Sequence, residues 1–389
     1  MKTQATLAGE TNACGQVLYM VLELSALRWK VLLVAASGRR RERSVVARDL
    51  AGLMREMAEA KRKLGLAPEA RVVSCYEAGR DGFWLHRALQ AAGVENLVVD
   101  SSSIEVPRRA RHKKTDRIDL GKLMALLVRF MAGERRVWSV LRVPDEEVED
   151  VRQLSRSIER LKRERGAHRV RIKSLLAKEG LVLERIGGSD WAERVGKLRR
   201  WDGSGVPANL KRDLLAEGER LALVERQLAL LKAEREALVA CSPSKIAGAT
   251  RALRQLGAIA EESSFVFSTE SLGWRTFANR RELAGSVGIT GTPYQSGEAD
   301  YEQGVSKAGN KRMRAMLVEI AWGWLKHQPQ SALSLWWQRR FANGNKRTRR
   351  IGIVALARKL LVALWRYLED GLVPEGARLK QLKPRRAVA

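Results

Sequence analysis

An α/β domain followed by a mostly helical remainder is the fold class that the sequence predicts, and three observations predict it. Up to about residue 144, short apolar runs alternate with stretches of helical periodicity. Two long heptad stripes then cover 145–242, and helical patterns dominate 243–370. The segments read as an α/β domain over 16–144, a coiled-coil linker or dimerisation arm over 145–242, a C-terminal domain over 243–370 and a basic tail over 371–389.

A chain of 389 residues is long enough for more than one domain and for cores that need no covalent staples. Its formal net charge of +28 and pI near 10.7 are spread along the chain, which reads as a polyanion-binding surface with nucleic acid as the expected partner. No apolar run approaches the roughly 20 residues needed to span a bilayer, so no membrane role is expected. The opening MKTQATLAGETNACG has no signal-peptide core. Cys14, Cys75 and Cys241 are scattered without CxxC spacing, which excludes a cysteine-based zinc finger and fits a reducing, cytoplasmic setting.

In the first segment, Val17 to Leu24 and Trp29 to Ala35 form two apolar runs joined by a short turn, a buried hairpin. Glu23 interrupts the first run, and a carboxylate there needs a partner, a metal or an exit to solvent at the strand edge. A basic helix is expected over Arg43 to Leu64, then a strand through RVVSCYEAG ending in Glu77. Strand ends followed by glycines, here Gly79 and Gly82, are where α/β folds place site residues. A helix over Phe83 to Ala92 and a strand over Asn96 to Val99 follow, which together make a mixed sheet with helices packed on it.

The stretch KKTDRIDLGKL, Lys113 to Leu123, sets Asp116 and Asp119 three residues apart, on one face if helical. Two readings fit this pair. Thr115 can cap a solvated helix whose acids suit the helix dipole. Alternatively, a hard divalent cation such as Mg²⁺ relieves the like-charge repulsion and shares its oxygens with a phosphate, which Arg111, Lys113, Lys114, Arg117 and Lys122 could help to hold. Glu23, Glu77, Asp116 and Asp119 all fall at strand or helix ends. In a ribonuclease H fold, acids on the first and a later strand meet acids on a late helix around two Mg²⁺ ions about 4 Å apart.

In the middle segment, Val151, Leu154, Ile158, Leu161, Ile172 and Leu175 form one stripe, with Arg165 and His168 in its seam. Leu210 to Leu238 forms the second, and a glycine-rich break separates them, as in an antiparallel helical hairpin. His168 reads as a packing residue. Arg152, Arg156, Arg160, Lys162, Arg163, Arg165, Arg169, Arg171 and Lys173 either face solvent or track a nucleic-acid backbone. In the last segment, two helices around Gly257 precede YQSGEAD, and VSKAGNKRMRAML begins a helix with an apolar stripe from Met313 to Trp324. Lys307, Lys311, Arg312 and Arg314 near its start are candidate phosphate contacts. Ser296 reads by itself as a turn serine, between Gly291 and Gly297 in a loop. RRFANGNKRTRR reads as a basic loop before a helix over Arg350 to Leu368. Most of Trp322, Trp324, Trp336, Trp337 and Trp365 should be core, and the tail from Gly376 disordered.

CYEAGRDGFWLHRAL and RRARHKKTDRIDLGKLMALL resemble the RuvC-like, RNase H-like domain of bacterial transposases of insertion-sequence family one hundred and ten, the DEDD transposases. FANRRELAGSVGITGTPYQSGEADYEQGVSKAGNKRMRAML is similar to that family's C-terminal transposase domain, and the family also has a coiled-coil linker between the two. Where the family's first acid is usually Asp, this chain reads LELS with Glu23, one methylene longer. The family's proline-and-glycine hairpin is matched in part by LRQLGAIAEES, without the proline. The resemblance implies a transposase that excises and inserts its own element by DNA strand exchange. It implies Mg²⁺, two ions to a site, held by Glu23, Glu77, Asp116 and Asp119, and Ser296 as the nucleophile, with Ser286 and Ser306 as competitors for that role. It also implies an element-encoded, structured guide RNA, a homo-oligomer, and action in the bacterial cytoplasm at the nucleoid. A RuvC-like junction nuclease that uses water, or a non-catalytic nucleic-acid binder, are the other classes compatible with these residues.

Overall fold

The computed structural model describes residues 16–79, 82–104, 116–296 and 299–380, with the backbone alone at 102, 116–119, 292–296 and 299–303. The chain forms two compact units, one ending at Val143 and one beginning at Pro144.

The first unit runs β1 (Val17–Glu23), β2 (Arg28–Ala35), β3 (Arg40–Val46), α1 (Leu50–Leu64), β4 (Arg71–Glu77), α2 (Trp84–Ala91), β5 (Glu95–Val99), a 3₁₀ turn (Ser101–Ser103) and α3 (Asp116–Met131). The strands form one mixed sheet in the order β3-β2-β1-β4-β5. The first three are antiparallel, and β1, β4 and β5 are parallel. Strand alternation divides the apolar side chains between two faces. Leu18, Met20, Leu22, Val72 and Tyr76 pack with Leu53, Ala60 and Leu64 of α1 and Leu85 and Leu89 of α2. Val21, Val73, Cys75 and Val99 pack with Leu120, Leu123, Met124 and Leu127 of α3 on the other. A sheet covered on both faces explains why its strands read as nearly continuous apolar runs.

Arg43 to Leu64 is not one helix. Arg40–Val46 is a strand, and α1 begins only after Asp49, whose Oδ1 accepts from Gly52 N–H at 2.7 Å and caps it. β3 is an edge strand with only Val45 buried, so its charged residues lie where pairing with another chain must be blocked.

The second unit begins with α4 (Glu146–Ala177), α5 (Trp191–Lys197) and α6 (Ala208–Cys241). α4 and α6 are antiparallel: Ile172 packs near Leu214 and Leu221 at one end, and Val151 near Val239 at the other. Trp191 closes the far end, where its Nε1–H donates to Leu214 O at 2.9 Å. A Cβ on Gly218 would lie 2.1 Å from its ring, so glycine is required there. Much of the arm's expected free charge is spent internally. His168 meets Glu217 at 2.7 Å, and Arg171 and Arg220 join that carboxylate. Arg160 pairs with Glu164, Lys162 with Glu262 and Arg169 with Glu225.

Beyond the arm come α7 (Lys245–Gln255), α8 (Glu261–Phe267) with a π-helical turn (Ser268–Leu272), α9 (Arg280–Val287), β6 (Gly291–Ser296), β7 (Ala299–Val305), α10 (Lys311–His327), α11 (Ala332–Phe341) and α12 (Lys346–Asp370). Met313, Leu317 and Trp324 of α10 and Ile353, Leu356 and Leu360 of α12 centre one core. Trp324 and Trp337 are buried in it, whereas Trp322 is exposed. Three readings change. The expected loop around Ser296 is an antiparallel ribbon, β6 with β7. The expected basic loop before α12 shrinks to Ala342–Asn345, because Arg339 and Arg340 end α11 and Lys346 begins α12. The described part of the tail packs on the domain: Leu379 bridges to Leu256, and Lys380 N–H and Nζ donate to Gln255 O and Ile259 O, while 381–389 lie outside the described residues. Among the described residues, no helix is long and apolar enough to cross a membrane.

Candidate functional site

Two regions carry the residues that the sequence singles out, and each lies within one unit. In the first, β1 and β4 run parallel with Leu22 opposite Tyr76, which sets Glu23 and Glu77 one step further on, at the C-terminal ends of neighbouring strands. By alternation both carboxylates belong with Val21 and Cys75, on the face that α3 covers. α3 packs on β1 and β2, and Asp116 and Asp119 lie in its first turns; their side chains are outside the described residues.

Glu23 is half-buried and stands opposite Lys30 of β2, while Glu77 is exposed. Burial pushes the Cys75 thiol up, and the charge of Glu77, two residues on, adds to the effect. The donor set on this face is oxygen, which suits a hard cation such as Mg²⁺ better than a soft one. Among the described residues no group of three or more His, Cys, Asp or Glu could hold a metal. Arg111, Lys113, Lys114 and the side chain of Arg117 are outside the described residues.

In the second unit the Ser306–Asn310 turn locks onto the end of α9. Lys307 N–H donates to Gly288 O, Asn310 N–H to Ser286 O and Ser306 N–H to Thr290 O, at 2.9–3.0 Å. Gly288 and Gly309 have φ of +71° and +98°, and a Cβ on either would fall 1.9 Å from Ala308 O or 2.3 Å from Ser286 O. Only glycine permits that approach. The turn braces the base of the ribbon at Gly291 and Val305, and the other end of the ribbon, where Ser296 pairs with Ala299, carries the candidate nucleophile. The competing serines are engaged: Ser286 Oγ donates to Leu283 O, and Ser306 Oγ accepts from Thr290 Oγ1.

Asn310 has two roles. Its Oδ1 caps α10 by accepting from Met313 N–H at 3.0 Å, and its Nδ2 donates to Glu270 at 2.8 Å. Glu270 sits in the π-helical turn with its side chain 1% exposed, and it also meets Arg312 at 2.7 Å and Arg152 and Arg156 at 3.4 Å. Burial pushes the carboxyl up, but the Asn310 hydrogen bond and the surrounding arginines outweigh it and hold it down to about 2. Arg312 also pairs with Glu159 and donates to Ser155 O at 2.9 Å, which ties α10 to the arm. Sequence reasoning passed over Glu270. The signal was a lone carboxylate within SSFVFSTESL, which needs partners for the same reason as Glu23.

Of the cations proposed near this turn, Lys307 and Lys311 are exposed. Arg312 serves the Glu270 hub, and Arg314 donates to Val287 O at 2.7 Å, closing α9. Phosphate contacts at Arg312 and Arg314 would compete with these internal bonds.

A net charge of +28 spread along the chain favours a polyanionic partner. Residues 250–335 match the Transposase IS116/IS110/IS902 family. The chain is 42% identical over 376 residues to the provisionally named transposase y4rJ of Sinorhizobium fredii, covering 93% of this chain and 94% of that protein. It is 32% identical over 253 residues to a second protein so named, y4qE of the same organism, covering 64% of this chain and 58% of the relative. The chain belongs to the IS116/IS110/IS902 family of transposases. Membership brings DNA binding and, as a class of reaction, DNA cleavage and rejoining.

Proposed function

We propose that this transposase moves its element by Mg²⁺-dependent strand exchange, with Glu23, Glu77, Asp116 and Asp119 as the carboxylate set of an RNase H-like domain and Ser296 as the nucleophile. One observation carries the proposal: Glu23 and Glu77 end neighbouring parallel strands on the sheet face over which the helix bearing Asp116 and Asp119 packs. The order β3-β2-β1-β4-β5 supports the RNase H-like reading. Mg²⁺, when bound, would neutralise charge on the scissile phosphate and favour the ionised serine. The carboxylates would hold the reacting strand in place through that charge, and Glu23, being longer than Asp, would reach from a strand end that is half-buried.

Ser296 Oγ would form a bond to phosphorus as the bond from phosphorus to the strand oxygen breaks, leaving a protein–DNA ester for the second strand to resolve. The ribbon sets the serine apart from the core, at the end away from the Ser306–Asn310 brace. Exposed Lys307 and Lys311 beside the α10 N-terminus would meet the DNA backbone. The excess charge supports binding of nucleic acid; in this reading the partners are a structured guide RNA together with DNA, and the protein acts as a homo-oligomer in which serine and carboxylates can come from different copies.

A labelled DNA junction carrying the element ends, incubated with and without Mg²⁺, tests the proposal. The expected result is a phosphoserine adduct that requires Mg²⁺ and disappears in Ser296→Ala and Asp116→Asn. Full cleavage by Ser296→Ala would mean hydrolysis by water in a junction nuclease. Binding without cleavage by the wild-type chain would mean a non-catalytic binder.

A further inference from the structure

The C-terminal core leaves a large groove open between α12, α11 and the base of the β6–β7 ribbon. Its volume is roughly 1140 Å³. α12 has two apolar faces: Ile353, Leu356, Leu360 and Leu364 are buried in the core, whereas Ile351, Val354 and Val362 line the groove. Ile351 is 57% exposed, and Leu372 and Val373, on the same groove, are 58% and 42% exposed. Exposed aliphatic residues gathered in one groove mark a binding surface more strongly than scattered ones.

The rim is cationic. Arg280 and Arg281 begin α9, and Arg358, Lys359 and Arg366 project from α12, while Glu375 is the one carboxylate among the described lining residues. Lys359 Nζ stands over the Trp336 ring at 4.7 Å, so an aromatic edge and a charge share one position. A second cavity of roughly 470 Å³ continues along the first turns of α12, lined by Lys346, Arg347 and Arg350 and sharing Ile351 and Val354 with the first. Arg347 to Arg366 spans roughly 28 Å of helix. Cations therefore follow one side of α12 while an aliphatic floor runs beside them.

We infer that this groove binds a single-stranded segment of nucleic acid, with its phosphates on the α12 cations and its unpaired bases on the Ile351, Val354 and Val362 floor. A duplex satisfies the rim but not the floor, because its bases are stacked and paired. An apolar protein segment satisfies the floor but leaves the cations without counter-charge. An unpaired strand satisfies both, since it offers charge along one edge and flat apolar surface along the other. The assignment rests on the nucleic-acid-handling reading above and adds the strand state of the partner and its seat.

Fluorescence anisotropy of the full-length chain at fixed salt tests this, with labelled DNA and RNA strands of about 12 nucleotides and the matching DNA duplex. Ile351 is exposed, so Ile351→Ser leaves the core intact. It should weaken single-strand binding by about 5-fold or more and leave duplex binding unchanged. Arg358→Ala with Arg366→Ala should weaken both and flatten their salt dependence. Equal affinity of Ile351→Ser and wild type for both single strands overturns the inference. So does a change in the sedimentation mass of Ile351→Ser without loss of single-strand affinity, which would make the groove an interface between copies. Comparing the DNA and RNA strands identifies which polymer the groove prefers. Junction cleavage that survives Ser296→Ala while Ile351→Ser loses single-strand binding would overturn the serine mechanism and leave the groove assignment standing.

Discussion

The two carboxylate groups of this chain use the same functional group in opposite ways. Glu23 and Glu77 sit half-buried and exposed at the ends of two parallel strands, beside a helix whose first turns carry two more acids. Glu270 is enclosed inside the second unit, where three arginines offset its charge and an asparagine donates a hydrogen bond to it. A buried carboxylate with a full set of partners contributes to one packed arrangement, and breaking it is costly because the partners are left uncompensated. Carboxylates at a strand end lie where something arriving from outside can reach them. Position in the fold therefore separates a structural acid from a catalytic candidate better than residue type does.

Matched isosteric changes test that contrast most severely. Glu77→Gln should reduce strand cleavage by ~10³-fold or more with an unchanged melting temperature. Glu270→Gln should cost about 3–5 kcal/mol, read as a drop of roughly 10 °C in melting temperature of the second unit. If Glu77→Gln melts early and cleaves normally, the roles are reversed. A pH series sharpens the same distinction. Because Glu270 is held at about 2 against an ordinary 4.5, the folded unit binds fewer protons than the unfolded one between those values. Its contribution, on the order of 3 kcal/mol, is complete above pH 4.5 and is lost as the pH falls toward 2. Denaturation curves of wild type and Glu270→Gln should therefore converge on acidification. The smallest effect is expected at the brace: Gly309→Ala sets a methyl against Ser286 O at a positive φ and should cost about 1–3 kcal/mol. If the ribbon depends on that brace, cleavage by Gly309→Ala should fall by more than its lost stability explains.

Much of the first unit was readable because its strands are buried on both faces. Val17–Glu23, Arg28–Ala35 and Arg71–Glu77 are apolar almost throughout, and Glu77 stood out as a charge at the end of such a run. β3 was not readable, because an edge strand buries only Val45 and its arginines look helical in sequence. The β6–β7 ribbon was hidden by Pro293, which lacks the N–H that a ladder needs; a register shift between Gly291 and Pro293 accommodates it. The KAGN stretch was visible as a helix start, but its close backbone contact with Gly288 depends on a partner some twenty positions earlier. Glu270 stood out only as a lone carboxylate in an apolar stretch, and its partners, 40 to 118 residues away, could not be read from that stretch.

The joint at Asn310 makes the second unit behave as a lever. The asparagine begins α10 and grips Glu270, Glu270 grips the root of the long helical hairpin, and the same turn clamps the foot of the serine-bearing ribbon. Torque applied at the hairpin's distal end by a docked partner would be carried through this joint to the serine's mount.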